Sequence, residues 1–374
     1  MTDFSLHKYQ TLDGIRGVAA LLIVLFHTAD YFGQVYFPES YLAVDLFFVL
    51  SGFVIAKAYA QRLADGLSAG GFMRLRLIRL YPLYALATVL GIVSFAASVL
   101  AGKNAAQWST SDLIINSGLA ILLLPSPFTP QLYAINAPSW SLFFELIANA
   151  LYAVLHRFLN TSILLLTIAI SAIALLACTV YFGSLDVGYK WTHAVGGIPR
   201  VLYSFCMGLL IARLSGVQGG VQGGAQSNDA VFSDALRRVL ADFKLPSSIL
   251  LLLTLLTLSV TPTDAIRPWY DLGAVLILFP LIVVLAARSE PRSLGLKKIC
   301  IFLGAISYAI YVLHVPIFIL VTIASKKLGL HDLADFAPFS GVLLLLVLVC
   351  FARIADRVYD QAMRRWLGQF LTRD

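Results

Sequence analysis

Residues 12–32 read LDGIRGVAALLIVLFHTADYF, and this stretch decides the fold. Between Gly17 and Phe26 it carries no ionisable side chain. With its flanks it is long enough to cross a hydrocarbon layer as a helix, the form that satisfies its own backbone polar groups there. Arg16 stands at its first turn and His27 eleven residues later, about 16 Å further along the axis at the helical rise. The preceding residues 1–10 hold Asp3, His7 and Lys8, with no short apolar segment ending in a small-residue cleavage site. The run is therefore expected to be a retained span rather than a removed leader.

Working outward, the same pattern recurs along the chain. Hydrophobic residues make up 59% of the composition, charged residues 13%, and mean hydropathy is +0.85, which excludes an ordinary water-soluble domain. Apolar runs near 17–36, 41–60, 80–101, 138–156, 161–182, 198–214, 247–262, 270–288, 300–322 and 340–361 predict an all-α, polytopic transmembrane bundle of about ten spans. It is expected to form one integral-membrane domain over 1–374, embedded in a lipid bilayer.

The net charge of +7 resides in alternate loops, as orientation signals do, so it points to topology and not to nucleic acid. With ten spans and both termini cytoplasmic, Arg62, Arg74, Arg157, Arg213, Arg237, Arg288, Lys297 and Arg365 all face inside, leaving Lys103, Lys190, Arg267, Lys326 and Lys327 outside. Counting 113–125 as an eleventh span reverses the loop holding Arg288, Arg292, Lys297 and Lys298. That segment is short and ends at Pro125 and Pro127, so it is expected to be re-entrant or interfacial within an outer loop, 102–137. The connection 215–246 is Gly-, Gln- and Ser-rich and is expected to be a flexible cytoplasmic loop. Cys178, Cys206, Cys300 and Cys350 lie in apolar stretches at unrelated spacings, which suits packed free thiols; no metal site is expected.

Ionisable groups inside spans are costly unless paired or hydrated, so each is a candidate for function. His27 suits proton transfer near neutral pH, though a neutral histidine also packs between helices. Asp45, near the outer end of the second span, either orients His27 or sits hydrated at the interface. Glu145 falls in the outer half of the fourth span, at the depth of His27. There it can fix the histidine tautomer, stabilise imidazolium or act as a base, yet a lone membrane glutamate also fits a proton-coupled transporter of a sugar or lipid-linked substrate. Arg74, Arg76 and Arg79 enter the third span from the cytoplasm; Arg76 and Arg79, three apart, share a helical face and can clamp a phosphate. His314, two residues before Pro316, reads as a supporting residue and as a reserve candidate for the base. Arg353 is spaced to pair along one helix with Asp356.

Five pieces in order resemble the bacterial membrane acyltransferase-3 family: LDGIRGVAALLIVLFH with its Arg-x10-His spacing, VDLFFVLSGFVI at 44–55, Arg76-Leu77-Ile78-Arg79 ahead of YPLY, WSLFFEL at 140–146, and LGAISYAIYVLHVPI at 303–317. The resemblance runs from about Leu12 to Trp366. It implies an O-acyltransferase that takes an acyl group, usually acetyl, from cytoplasmic acyl-CoA and delivers it to a carbohydrate hydroxyl at the outer face. His27 would be the essential histidine, Arg16 its spaced partner, Arg76 and Arg79 the donor-binding pair, and Glu145 the essential acid. The chain departs from the family pattern at Ala355-Asp356-Arg357-Val358, where members tend to end in glutamate-lysine-proline. With no esterase-like domain after the last span, a stand-alone modifier of exopolysaccharide or lipopolysaccharide is expected.

Overall fold

The computed structural model describes residues 9–33, 35, 37–100, 109–215, 244–329 and 332–371. Of the expected loop 215–246, residues 216–243 lie outside the described residues, as do residues 1–8 and Lys103. The helices are α1 (Gln10–His27), α2 (Ala43–Ala64), α3 (Ala69–Leu100), α4 (Thr110–Ile121), α5 (Ser139–Leu155), α6 (Thr161–Phe182) and α7 (Gly197–Leu214). After these come α8 (Ser247–Ser259), α9 (Arg267–Ala286), α10 (Leu294–Lys327) and α11 (Phe339–Phe370). Among the described residues the β content is one isolated antiparallel bridge, Gln131 to Lys190.

Local signals set several boundaries. Asn160 caps α6 by accepting from the Ile163 amide at 2.8 Å, and Ser293 caps α10 by accepting from Leu296 at 3.1 Å. A reciprocal Ser109–Asp112 capping box starts α4. Pro82 and Pro316 lie inside α3 and α10 without ending them, as neighbouring helices permit in membrane bundles.

Among the described residues eight helices are long and apolar enough to cross a membrane. The other two expected spans appear as shorter apolar helices, α5 with 17 residues and α8 with 13. Side chains such as Leu166, Ile170, Ile173 and Leu343 are exposed on the outside of the bundle, an apolar exterior that suits lipid and not water.

Two close helix pairs fix the parity of the crossings. Gly52 of α2 and Gly208 of α7 meet where an added Cβ would stand 2.1 Å from the Phe205 and Val49 carbonyl oxygens respectively. Asp45 contacts Arg200 before this crossing and Lys57 reaches the Ala212 carbonyl after it, so α2 and α7 run parallel. Gly14 and Gly17 of α1 pack on Cys300 and Leu303, and Gly304 of α10 packs on Asp13; His27 then meets His314, so α1 and α10 are parallel too. With α4 not crossing, α2 and α7 are second and sixth, and α1 and α10 first and ninth, which makes both pairs parallel. Were α4 a crossing, both pairs would be antiparallel. The observed directions are those expected of ten crossings.

The C-terminal end of α4 is held by side chains from its neighbours. Its last carbonyls have no partner within the helix and need donors from elsewhere. The hydroxyls of Tyr84, Tyr81 and Tyr133 donate to the carbonyls of Ala120, Ile121 and Leu123, the second at 3.0 Å and the third at 2.8 Å.

Candidate active site

The parallel α1–α10 pair carries polar groups at two depths. At one, the Arg16 Nε–H donates to the Ser307 hydroxyl at 2.9 Å, while Nη2 donates to the Gly304 carbonyl at 2.9 Å and to Asp13 at 3.1 Å. At the other, His27 Nδ1 and His314 Nε2 lie 3.1 Å apart. The small residues Gly14, Gly17 and Gly304 let the backbones approach closely enough for both contacts.

The proton positions of the two rings follow from their carbonyl neighbours. His314 Nδ1 sits 2.8 Å from the Tyr311 carbonyl and 3.2 Å from that of Ile310. Carbonyls only accept, so this nitrogen carries the hydrogen and the neutral His314 Nε2 is an acceptor. His27 Nδ1, 3.0 Å from the Ile23 carbonyl, then donates as well. The lone pair of neutral His27 is left on Nε2. His314 is 1% exposed, whereas His27 is exposed.

The Arg16 depth opens on a cavity of about 290 Å³. Its wall includes Arg16, Arg76, Arg79, Arg364, Glu145 and Asp356. Arg76 Nη2 donates to Glu145 Oε1 at 3.0 Å, and the same oxygen accepts from the Ser51 hydroxyl at 2.6 Å. Arg79, one turn beyond Arg76, is exposed into the cavity and makes no ion pair among the described residues. At the opposite end the Ser141 and Tyr311 hydroxyls, 2.7 Å apart, also line the wall. The Tyr311 ring stands 6.3 Å from that of His314, so the histidine pair lies just past this end and outside the cavity lining.

The structure thus brings Arg16, Arg76, Arg79 and Glu145 together around one cavity and pairs His27 with His314. Arg74 is exposed and is not in the wall. Among the described residues, no hydrogen bond or ion pair joins Glu145 or Asp45 to His27. The expectation that Glu145 lies beside the histidine is corrected because α5 starts at Ser139, close to Tyr311. That places Glu145 roughly 10 Å nearer the arginine end than His314. Asp45 is 0% exposed, so it is not hydrated at an interface. It accepts from Arg200 Nη2 at 2.6 Å and from Nε at 3.2 Å. A fully buried guanidinium is a stronger partner for a carboxylate than a neutral imidazole is.

Reading the sequence missed Arg200, Ser51, Ser141, Tyr311 and Arg364. Arg200 had a signal: a second charge in a span is expected to answer Asp45. It also donates to the Val187 carbonyl at 2.7 Å and lies 5.2 Å from the Trp140 ring, bracing α2, α5 and α7. Arg353 and Asp356 do pair, at 3.5 Å. No cluster of three or more His, Cys, Asp or Glu side chains suited to a metal occurs among the described residues.

A family model described as an acyltransferase domain matches residues 9–354. Protein 2 in picA locus, from Rhizobium radiobacter, is 41% identical over 185 residues, covering 47% of this chain and 96% of that protein. No solved structure matches the chain. The match runs from the residue before α1 into α11 and takes in the histidine pair and three of the four cavity arginines, and on that ground the chain belongs to the acyltransferase-3 family of membrane acyltransferases.

Proposed function

We propose that this membrane acyltransferase moves an acyl group, acetyl by preference, from cytoplasmic acyl-CoA to a hydroxyl of an extracytoplasmic or lipid-linked glycan such as exopolysaccharide or lipopolysaccharide, in a bacterial inner membrane. The observation that carries this reading is the α1–α10 pair itself, with guanidinium groups at one depth and a histidine whose free nitrogen is set by its neighbours at another. An anionic donor and a neutral hydroxyl acceptor call for that separation.

In this reading the donor's phosphates meet Arg16, Arg76 and Arg79, with Arg74 at the approach, and the pantetheine arm carries the thioester past Ser141 and Tyr311 toward His27. Arginine suits phosphate because its forked N–H groups bind two oxygens at once. His27 Nε2 removes the proton of the acceptor hydroxyl while that oxygen attacks the thioester carbonyl. The C–S bond breaks, and the sulfur leaves with the proton returned by the imidazolium. A two-step variant has Nε2 take the acyl group first and pass it to the hydroxyl. His314 accepts from Nδ1–H in either route. Glu145 serves by holding Arg76, and Asp45 by holding Arg200 beneath the acceptor side.

The test is transfer of labelled acetyl from acetyl-CoA to extracted host glycan in membranes carrying wild type or His27→Ala. General-base loss should cut turnover about 10²- to 10⁴-fold. Equal transfer by both proteins overturns the assignment of His27. Failure of the wild type to transfer or bind acyl-CoA, together with proton-coupled uptake of a sugar substrate, would favour a transporter.

A further inference from the structure

The family match ends at residue 354, but the last helix does not. It continues through a π-helical turn at Ala355–Asp360 and an α-helical segment, Gln361–Leu371. A π turn adds about one residue to the helical repeat and so rotates the residues beyond it by about 100°. Past this turn Arg364 joins Arg16, Arg76 and Arg79 in the cavity wall, with Asp356 of the turn itself alongside.

Arg364 is held as a positioned donor. Its Nη2 pairs with Asp360, a carboxylate with no exposed surface. Its Nε is buried without a hydrogen-bond partner among the described residues, and so is the Nε of Arg76 across the same cavity. Outside that ion pair both Asp360 oxygens are buried without a hydrogen bond as well, so these Nε groups call for no ligand by themselves; the observation that does is a fourth guanidinium, partly exposed, standing in one wall with Arg16, Arg76 and Arg79. In the same wall Asp356 has its Oδ2 paired with Arg353 and accepting from Gln361 at 3.2 Å.

We propose that Arg364 is a donor-binding residue supplied by the helix beyond the family domain, taking a phosphate group of acyl-CoA together with Arg76 and Arg79. The inference rests on the reading of the cavity as the donor site. It differs from a structural role for the Arg364–Asp360 pair, which would stabilise α11 whatever filled the cavity.

Equilibrium binding of radiolabelled CoA to the purified, detergent-solubilised full chain separates these. Arg364→Gln is expected to raise the dissociation constant about tenfold or more, the scale of one charge-assisted contact, and Arg79→Gln to do likewise. Arg365→Gln, an exposed neighbour that donates to the Gln361 carbonyl, removes the same charge and should leave affinity within about twofold. If Arg364→Gln does not yield folded protein, Arg364→Lys keeps the charge and loses the fork, and an intermediate weakening is expected. Weakening by Arg79→Gln with unchanged affinity in both Arg364 variants overturns the proposal and spares the donor site. Absence of CoA binding by wild type removes both. A lipid phosphate is the other source of the same chemistry: co-purified phosphatidylglycerol lost from Arg364→Gln, with CoA affinity intact, also overturns the proposal.

Discussion

With the His314 ring removed, the His27 Nδ1–H still has the Ile23 carbonyl, 3.0 Å away, so the tautomer survives and the second acceptor is lost. In the proposed reaction, what disappears is a neighbour that stabilises the imidazolium formed when Nε2 takes a proton. A hydrogen bond to a charged group contributes about 1.5–3 kcal/mol, so His314→Ala should lower kcat roughly 10- to 100-fold. CoA affinity should remain within about twofold, since the arginine cavity does not include this residue. A loss appearing in CoA binding and not in kcat would make His314 a packing residue. Asp45 gives a contrasting case. Its carboxylate and Arg200 have side chains 0% and 1% exposed, and Asp45→Asn leaves the guanidinium buried with its partner charge gone. That is expected to cost about 3–5 kcal/mol, while the double change Asp45→Leu with Arg200→Met recovers much of it. Thermal unfolding of the three proteins reads this directly; an Asp45→Asn protein with wild-type stability and no turnover would return Asp45 to the chemistry.

Elements differ in how plainly the sequence announces them. The ten apolar runs could be read from hydropathy alone, and the i,i+3 spacing of Arg76 and Arg79 correctly put both on one face, because a 3.6-residue period suffices for each. Arg364 was hidden for the converse reason: the π turn at Ala355–Asp360 breaks the period on which the face of every later residue depends. Glu145 was assigned to the depth of His27 because the first run was read as 17–36, whereas α1 is Gln10–His27 and the histidine stands at its very end; the fourth run, 138–156, matches α5. Close helix approach is likewise a property of pairs. At the α2–α7 crossing a Cβ on Gly208 would lie 2.1 Å from the Val49 oxygen, whereas on Gly295 it would meet nothing within 4 Å. Gly208→Ala should therefore lower the unfolding temperature sharply and Gly295→Ala should not, by circular dichroism on the purified proteins. The three tyrosines that end α4 make a separate prediction. Tyr84 is 1% exposed, so Tyr84→Phe removes a buried hydroxyl donor from the Ala120 carbonyl, which keeps the Leu123 amide at 2.9 Å, at about 0.5–1.5 kcal/mol. Hydrogen exchange should quicken within residues 110–124 and stay unchanged in α1 and α10; uniform quickening would mean that α4 has no such local anchor.

At the scale of the whole molecule, the parallel directions of α1 with α10 and of α2 with α7 fix which ends of the helices share a side, and charge then chooses the side. The start of α1, the α2–α3 connection, the start of α10 and the end of α11 lie together, and they carry Arg16, Arg62, Arg74, Lys297, Lys298, Arg364 and Arg365. The opposite ends, where His27 and Asp45 lie, hold few basic residues. Basic connections are retained on the cytoplasmic side, and the proposed donor, acyl-CoA, is a cytoplasmic compound too polar to cross lipid unaided, so the arginine end and that donor would coincide only in one orientation. Single cysteines in a cysteine-free background test it through exposed positions: Ser68 and Arg292 on the basic side, Ser109 and Asp264 on the other. A membrane-impermeant maleimide added to intact spheroplasts should label Ser109→Cys and Asp264→Cys alone, and inverted vesicles should reverse the pattern. Labelling of Ser68→Cys from outside would turn the arginine cavity away from its donor. Because the parallel helix pairs tie both ends to the same set of helices, that one result would remove the proposed inward route for acyl-CoA and the proposed outward position of His27 together.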